Sequence, residues 1–152
     1  MAEAGNTFFT EFPDVVKSAM ARFEEVVGRS YSLFSYTGHA EATDVVVVMG
    51  SASTPLEDVA KRSDKKVGVV RVCLFSPWSV KDFLEAMPKT VQRIAVLDRT
   101  KEPGRIGEPL FLEVLASMFQ SGNQNVQMFR GRYGLSSKEF NPAMAQAVFD
   151  NL

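Results

Sequence analysis

The chain has 152 residues, 45% of them hydrophobic, which is enough to fill one core between two or three layers of secondary structure. Its 17 lysines and arginines nearly balance 18 aspartates and glutamates, so no basic field favours nucleic acid and we expect no nucleic-acid partner. The longest apolar runs are about six residues, against the ~20 of a membrane helix. We therefore expect a soluble protein of the cytoplasm or an organelle matrix, with no membrane partner and not secreted.

Cys73 and His39 are the single cysteine and the single histidine of the chain. One cysteine excludes an intramolecular disulfide and, with one histidine, the ligand cluster of a structural zinc site, so we predict no metal site. A nucleophilic pair would require the fold to bring Cys73 and His39 together with an orienting acid. Because Cys73 falls within an apolar segment typical of a strand, we favour a buried structural cysteine.

The N-terminal pattern predicts a flexible lead-in over residues 1–12, followed by a single domain over residues 13–152. The domain should begin with a helix from about Pro13 to Val27, ended by Gly28. Its apolar residues share one face, which should cover a sheet or a neighbouring domain. They are Val15, Val16, Ala19, Met20, Phe23, Val26 and Val27.

Strand and helix signals then alternate along the chain. An edge strand is predicted between Tyr31 and Tyr36, and the apolar run Val45 to Met49 is typical of a central parallel strand covered on both faces. The segment Thr54-Pro55-Leu56-Glu57 matches a capping box, so a helix should start at Thr54. Later strands are predicted at Val67 to Phe75, Gln92 to Leu97 and Val126 to Phe129, and helices after Ser79, from Pro109 to Phe119, and from Asn141-Pro142 to Leu152. This order predicts an α/β fold, a three-layer α/β/α domain with a mostly parallel sheet.

The most charged segment, from Asp98 to Glu108, follows a predicted strand and contains six charged residues and two glycines. Ligand-contacting residues of open α/β sheets gather in loops beyond the carboxyl ends of strands. The segment is a plain surface loop, a contact with another protein domain, or a small-ligand site, and we favour the domain contact. The candidate residues are Asp98, Arg99, Lys101, Glu102, Arg105 and Glu108.

Two further segments are candidates for anion contact. The glycine-bracketed turn from Arg130 to Lys138 offers Arg132, Tyr133 and Lys138 as ligand or interface residues, although Tyr133 would equally pack at the core edge. A strand-to-helix turn at Gly50, Ser51, Ser53 and Thr54 would present backbone N–H groups and a helix dipole to a phosphate. Neither a G-x-G-x-x-G pattern nor a P-loop is present, so a nucleotide site is not favoured. Trp78 is either an interface anchor or a cover of the core edge.

Several segments together resemble the second domain of the pyruvate:ferredoxin/flavodoxin oxidoreductase family, which has the fold of the transketolase C-terminal domain. They occur in the family's order and extend over nearly the whole chain. They are Tyr36-Thr37-Gly38, Val48-Met49-Gly50-Ser51, Lys66-Val67-Gly68-Val69, Pro88-Lys89-Thr90-Val91, the run from Ala95 to Gly104, Gly107-Glu108-Pro109-Leu110, and the run from Gly131 to Lys138.

This resemblance implies a sheet of about five strands whose first strand, Ser32 to Tyr36, is antiparallel to the rest. It also implies a parent enzyme that decarboxylates pyruvate with thiamine diphosphate, magnesium, iron–sulfur clusters and coenzyme A. Its partners would be the other domains of the parent and, through them, ferredoxin, flavodoxin or an NADP-flavoprotein module. No cofactor is expected in this domain, since one cysteine cannot hold a cluster that requires about four thiolates.

The sequence departs from the family at Val72-Cys73-Leu74-Phe75-Ser76-Pro77-Trp78, where the resemblance leads us to expect arginine at positions 73 and 76. If those cations normally meet an adjacent domain, that contact is altered here. The main hypothesis is a non-catalytic structural and interface domain of the oxidoreductase, inactive when isolated. The alternatives are the equivalent domain of a sulfite reductase flavoprotein subunit, a free-standing nucleotide- or anion-binding module, and a small enzyme that uses Cys73.

Overall fold

Five α-helices and five β-strands make up the fold in the computed structural model, which describes residues 3–123 and 125–152 apart from the side chain of residue 4. The strands are β1 (Phe34–Gly38), β2 (Asp44–Met49), β3 (Val67–Val72), β4 (Arg93–Asp98) and β5 (Gln127–Arg132). The helices are α1 (Asn6–Val27), α2 (Ser53–Arg62), α3 (Val80–Ala86), α4 (Pro109–Gln120) and α5 (Pro142–Asp150). Among the helices of the described residues, none combines the length and the apolar character that crossing a membrane requires.

The five strands form one sheet in the order β1-β3-β2-β4-β5. Strand β1 is antiparallel to β3, and every other neighbouring pair is parallel. The central position of β2 explains its uninterrupted run of valines, since Val45 to Val48 are all fully buried. The predicted mostly parallel sheet with one antiparallel edge strand is therefore confirmed.

Alternate side chains of the central strands enter two separate cores, as the two-residue period of a strand requires. Val47 and Val96 point to one core, against which α1, α3 and α4 pack. Val46 and Leu97 point to the other, which α2 and α5 cover. Helices on both faces of the sheet complete the predicted three-layer arrangement.

Helix α1 begins at Asn6, well before the predicted start at Pro13. Proline favours the first turn of a helix, but here it lies inside α1, where its ring is buried and its missing N–H leaves one helical hydrogen bond unmade. The lead-in predicted over residues 1–12 thus includes residues that are helical. The predicted end is confirmed, because Gly28 adopts a φ of 69° and its N–H donates to the Glu24 carbonyl over 2.7 Å.

The capping box predicted at the start of α2 does not form. The helix begins at Ser53 after a short 3-10 turn, and its N-cap residue, Ala52, makes no side-chain capping bond. Glu57 is buried and accepts a hydrogen bond from Arg71 Nε of β3 over 2.7 Å. A buried carboxylate needs a partner, so the arginine on the neighbouring strand takes precedence over the local backbone.

The central position of β2 generates a prediction for the variant Val47→Asp, which places an unpaired carboxylate between β2 and the helices above it. The cost should be several kcal/mol and should prevent folding. Far-UV circular dichroism and urea denaturation measure this. The control Val26→Asp introduces the same charge at a position that is 83% exposed and should leave stability almost unchanged. Near-native stability of Val47→Asp would contradict the central placement of β2.

Candidate interface loop at the carboxyl edge of the sheet

Asp98 ends β4 and connects it to α4 through its side chain. The carboxylate accepts hydrogen bonds from the backbone N–H groups of Leu110, over 3.1 Å, and of Phe111, over 3.2 Å. The first N–H groups of a helix have no partner within the helix, and a carboxylate there also interacts favourably with the helix dipole. Asp98 therefore caps α4 from across the loop, a role that a search for local capping patterns misses because Leu110 lies 12 positions away.

Glu108 is the second buried carboxylate of the loop. Arg132 Nε of β5 donates a hydrogen bond to its Oε1 atom over 2.5 Å, while Oε2 finds no hydrogen-bond partner among the described residues. The bond from Arg132 holds the pKa of Glu108 below its usual value. Asp98 behaves differently, because burial raises its pKa although two backbone hydrogen bonds oppose the shift.

The loop therefore differs from the predicted contact surface at its two ends. Asp98 and Glu108 are each only 1% exposed and bind groups within the domain, so they do not belong to an exposed surface. The sequence pattern could not separate these inward carboxylates from the outward charges between them, since all are acidic or basic residues of one turn-rich segment.

The middle of the loop carries its outward charges. Arg99, Lys101 and Arg105 are exposed, and Glu102 is half-buried. Arg99 Nε donates to the Gly134 carbonyl over 3.1 Å, which connects the loop to the turn after β5. Glu102 and Arg105 line a cleft of about 280 Å³. The exposed face of the loop thus carries three cations and one carboxylate held close to the domain.

The second candidate segment is mainly structural at its centre. Tyr133 is buried, its hydroxyl donates to the Met49 carbonyl over 3.1 Å, and its ring contacts Phe140 with 5.1 Å between centroids. Burial raises the pKa of Tyr133. These contacts agree with the alternative in which Tyr133 packs at the core edge. Arg132 donates its hydrogen bond to Glu108. Lys138 is exposed.

The predicted anion site lies where β2 leads into α2. Gly50, Ser51 and Thr54 are exposed, but Ser53 is buried and its hydroxyl donates to the Gly50 carbonyl over 2.8 Å. Because this bond uses the only proton of the Ser53 hydroxyl, that side chain is not free to donate to an anion. The exposed hydroxyls of Ser51 and Thr54 remain as candidates.

His39 and Cys73 lie at opposite ends of β3. The His39 N–H donates to the Val67 carbonyl, at the start of β3, whereas Cys73 follows its last residue. Six strand residues rise by about 20 Å, so the two side chains cannot form a nucleophilic pair. Cys73 is exposed, which corrects the prediction of a buried cysteine: β3 ends at Val72, before the apolar residues that suggested a longer strand. Within the described ranges, no group of three or more His, Cys, Asp or Glu residues could hold a metal ion.

Trp78 covers the edge of the core between α3 and α4. Its ring centroid lies 4.9 Å from that of Phe34 and 5.2 Å from that of Phe83. Its indole N–H donates to the Ser117 hydroxyl of α4 over 2.8 Å. A half-buried indole N–H usually finds such a partner, and these contacts favour the core-edge alternative over an interface anchor.

Comparisons with known proteins agree on one family. Residues 42–141 match the model described as "Pyruvate:ferredoxin oxidoreductase core domain II". The "Pyruvate dehydrogenase [NADP(+)]" of Cryptosporidium parvum is 46% identical over 100% of this chain and 8% of the relative's length. The "Pyruvate:ferredoxin oxidoreductase" of Moorella thermoacetica is 45% identical over 99% of this chain and 13% of the relative's length. The chain thus spans a small part of these relatives.

A solved structure has a similar fold. The 2-oxoglutarate:ferredoxin oxidoreductase from Magnetococcus marinus superimposes with a TM-score of 0.54 and 18% sequence identity, covering 79% of this chain and 20% of the other. At this identity the likeness concerns the fold alone. It supports the α/β fold described above.

The capping role of Asp98 can be tested with Asp98→Ala, which leaves two N–H groups at the start of α4 without partners. The free energy of unfolding should fall by about 2 kcal/mol. The matched variant Asp98→Asn keeps an acceptor oxygen and should lose clearly less. Urea denaturation of both variants measures the difference. If the Asp98→Ala variant were as stable as the unmodified domain, the stability of α4 would not depend on this carboxylate.

Proposed function

Because the chain belongs to the family described as pyruvate:ferredoxin oxidoreductase core domain II, we propose that it serves as a structural and interface domain of a larger pyruvate oxidoreductase. In this role it packs against other domains and helps to fix their arrangement. It supplies no acid, base or nucleophile to the reaction. The isolated chain is accordingly inactive.

The share of each relative that the chain covers is the observation that carries this proposal. The alignments extend over essentially the whole of this chain but only 8% and 13% of the two relatives. A segment with its own two-sided core, found within much longer enzymes, is typical of one domain in a multidomain protein. Such a domain contributes to the enzyme through its surfaces.

The charges of the loop after β4 support the same role. Asp98 and Glu108 are used inside the domain, whereas Arg99, Lys101 and Arg105 face outwards. Exposed cations at the carboxyl edge of a parallel sheet are suited to meet acidic groups of an adjacent domain, where charge complementarity fixes the register of the contact. These residues, with Glu102, remain our candidates for the interface.

The cofactors implied by the family are assigned to other parts of the parent enzyme. Thiamine diphosphate with magnesium, iron–sulfur clusters and coenzyme A would be needed for oxidative decarboxylation of a 2-oxoacid. The residues of this chain do not fit the first three: Cys73 offers one thiol where a cluster requires about four thiolates, and the loop carboxylates Asp98 and Glu108 are buried and bound to protein groups.

The acceptor of the parent enzyme is proposed to be ferredoxin, flavodoxin or an NADP-linked flavoprotein module. The two relatives described above carry the names of pyruvate enzymes, which favours a pyruvate-acting parent over a sulfite reductase flavoprotein subunit. A cysteine-dependent enzyme is not supported, because His39 lies at the far end of β3 from Cys73.

Calorimetry of the 152-residue chain tests whether it is catalytically self-sufficient. Titration with thiamine diphosphate and magnesium should give no saturable heat, because the residues that the structure describes include no group of three or more His, Cys, Asp or Glu side chains that could hold the diphosphate-bound metal. Saturable micromolar binding would contradict the proposal. Inorganic phosphate is titrated in parallel, and saturable binding that Ser51→Ala abolishes would instead favour an anion-binding module at the exposed residues Gly50, Ser51 and Thr54.

The outward face of the loop is tested by replacing Arg99, Lys101 and Glu102 together with alanine. The free energy of unfolding of the isolated domain should change by less than about 1 kcal/mol, since charges that are exposed, as on Arg99 and Lys101, or half-buried at the surface, as on Glu102, contribute little. In the complete enzyme the same change should weaken domain association or lower turnover. Charged groups of the adjacent domain that are buried at the interface would then lose the side chains with which they pair. An unfolded domain together with a fully active enzyme would identify the loop as purely structural.

A further inference from the structure

Helix α1 presents an apolar face that the domain core covers only in part. Val16 and Met20 pack against the core, but Phe8, Val15 and Phe23 are 60%, 60% and 49% exposed. The Phe23 ring lies against Tyr31 with 5.7 Å between centroids. Large apolar side chains that are exposed next to one another, unlike scattered single ones, are typical of a surface that contacts a protein, a membrane or a ligand.

Several apolar side chains of the helix, not including Phe8, line a groove of about 490 Å³. We call it the α1 groove, and it is lined by Phe12, Val15, Val16, Ala19, Met20 and Phe23 of α1, together with Tyr31. Because its lining is almost entirely aliphatic or aromatic, the groove fits an apolar occupant better than a charged ligand.

The anchoring of α1 on its own domain is slight for a helix of 22 residues. Most helical stability in proteins comes from packing of an apolar face, and Pro13 removes a hydrogen bond from the middle of this helix. Lys17 adds an ion pair with Asp82 over 2.9 Å, but Lys17 is 40% exposed, and such pairs contribute at most about 1 kcal/mol. Packing against a second surface would supply the burial of apolar side chains that the domain core does not provide to α1.

We propose that the α1 groove binds an apolar surface of a neighbouring domain in the same, longer polypeptide. This inference rests on the proposed function and names the surface through which that function acts. The family model matches residues 42–141 and leaves α1 outside, yet the relatives align over 99–100% of this chain, α1 included. The helix thus accompanies the core in proteins that have much more chain for it to pack against.

The charges of α1 argue against a membrane as the occupant. Lys17 and Arg22 are outnumbered by Glu11, Asp14, Glu24 and Glu25 within the helix. Helices that lie on anionic lipid surfaces carry an excess of lysine and arginine beside their apolar face. A mixed, slightly acidic rim around an apolar centre is instead the anatomy of a contact between protein domains.

Hydrogen–deuterium exchange provides the test, applied to the 152-residue chain and to the complete polypeptide that contains it. The amides of residues 15–23 should exchange about ten-fold more slowly in the complete polypeptide, because packing on a second surface suppresses local opening of the helix. Val15→Glu, inside the groove, should remove most of this added protection. Val26→Glu, at an exposed position of the same helix outside the groove, should keep it.

Equal exchange of residues 15–23 in the two proteins would overturn the inference, and this comparison does not depend on any variant. Concentration-dependent dimers of the 152-residue chain that Val15→Glu dissolves, seen by sedimentation, would assign the groove to a second copy and overturn it as well. If residues 99–105 gain protection in the complete polypeptide while α1 does not, this inference fails and the proposed interface role stands. If neither segment gains protection, both fail.

Discussion

The fold depends on burial of β2 on both of its faces. Four consecutive valines give this strand apolar side chains in both directions, so it is stable only when helices cover the sheet above and below. The neighbouring strands β3 and β4 are both parallel to β2. Parallel strands need a crossover connection, and here a helix on one face of the sheet returns the chain to the end at which the preceding strand began. The carboxyl ends of β2 and β4 thereby meet at one edge, where Tyr133 binds the carbonyl of Met49 and Asp98 binds α4.

Burial also decides the roles of charged residues at that edge. Asp98 and Glu108 are both buried, and hydrogen bonds from protein donors compensate for their lost hydration. Asp98 accepts from two backbone N–H groups at the start of α4, and Glu108 accepts from Arg132. Their neighbours Arg99, Lys101 and Arg105 keep their contact with solvent. One short loop thus combines a structural connection between strand and helix with an exposed cationic surface, and only the second is available to a partner domain.

Two surfaces of different chemistry therefore fit the role of a domain within a larger enzyme. The loop after β4 offers charge, which directs and aligns a contact, while the α1 groove offers apolar area, which gives most of the free energy of association. Helix α1 lies outside residues 42–141, the part that matches the family model, whereas the loop lies within them. The apolar contact would then involve a helix outside the matched residues 42–141, and the charged contact would involve a loop within them.

The sequence by itself determined the α/β class, the number of strands and their succession along the chain, and the helix ends that carry strong local signals, such as Gly28 after α1 and Asn141 before α5. These follow from hydrophobic period and local hydrogen bonding, which act over a few residues. Tertiary structure alone decided that Asp98 caps a helix 12 positions away, that Glu57 pairs with Arg71 and not with the start of its own helix, and that Cys73 is exposed. Each of these depends on which elements become neighbours in space, because a buried charge takes whatever partner the packing brings within reach.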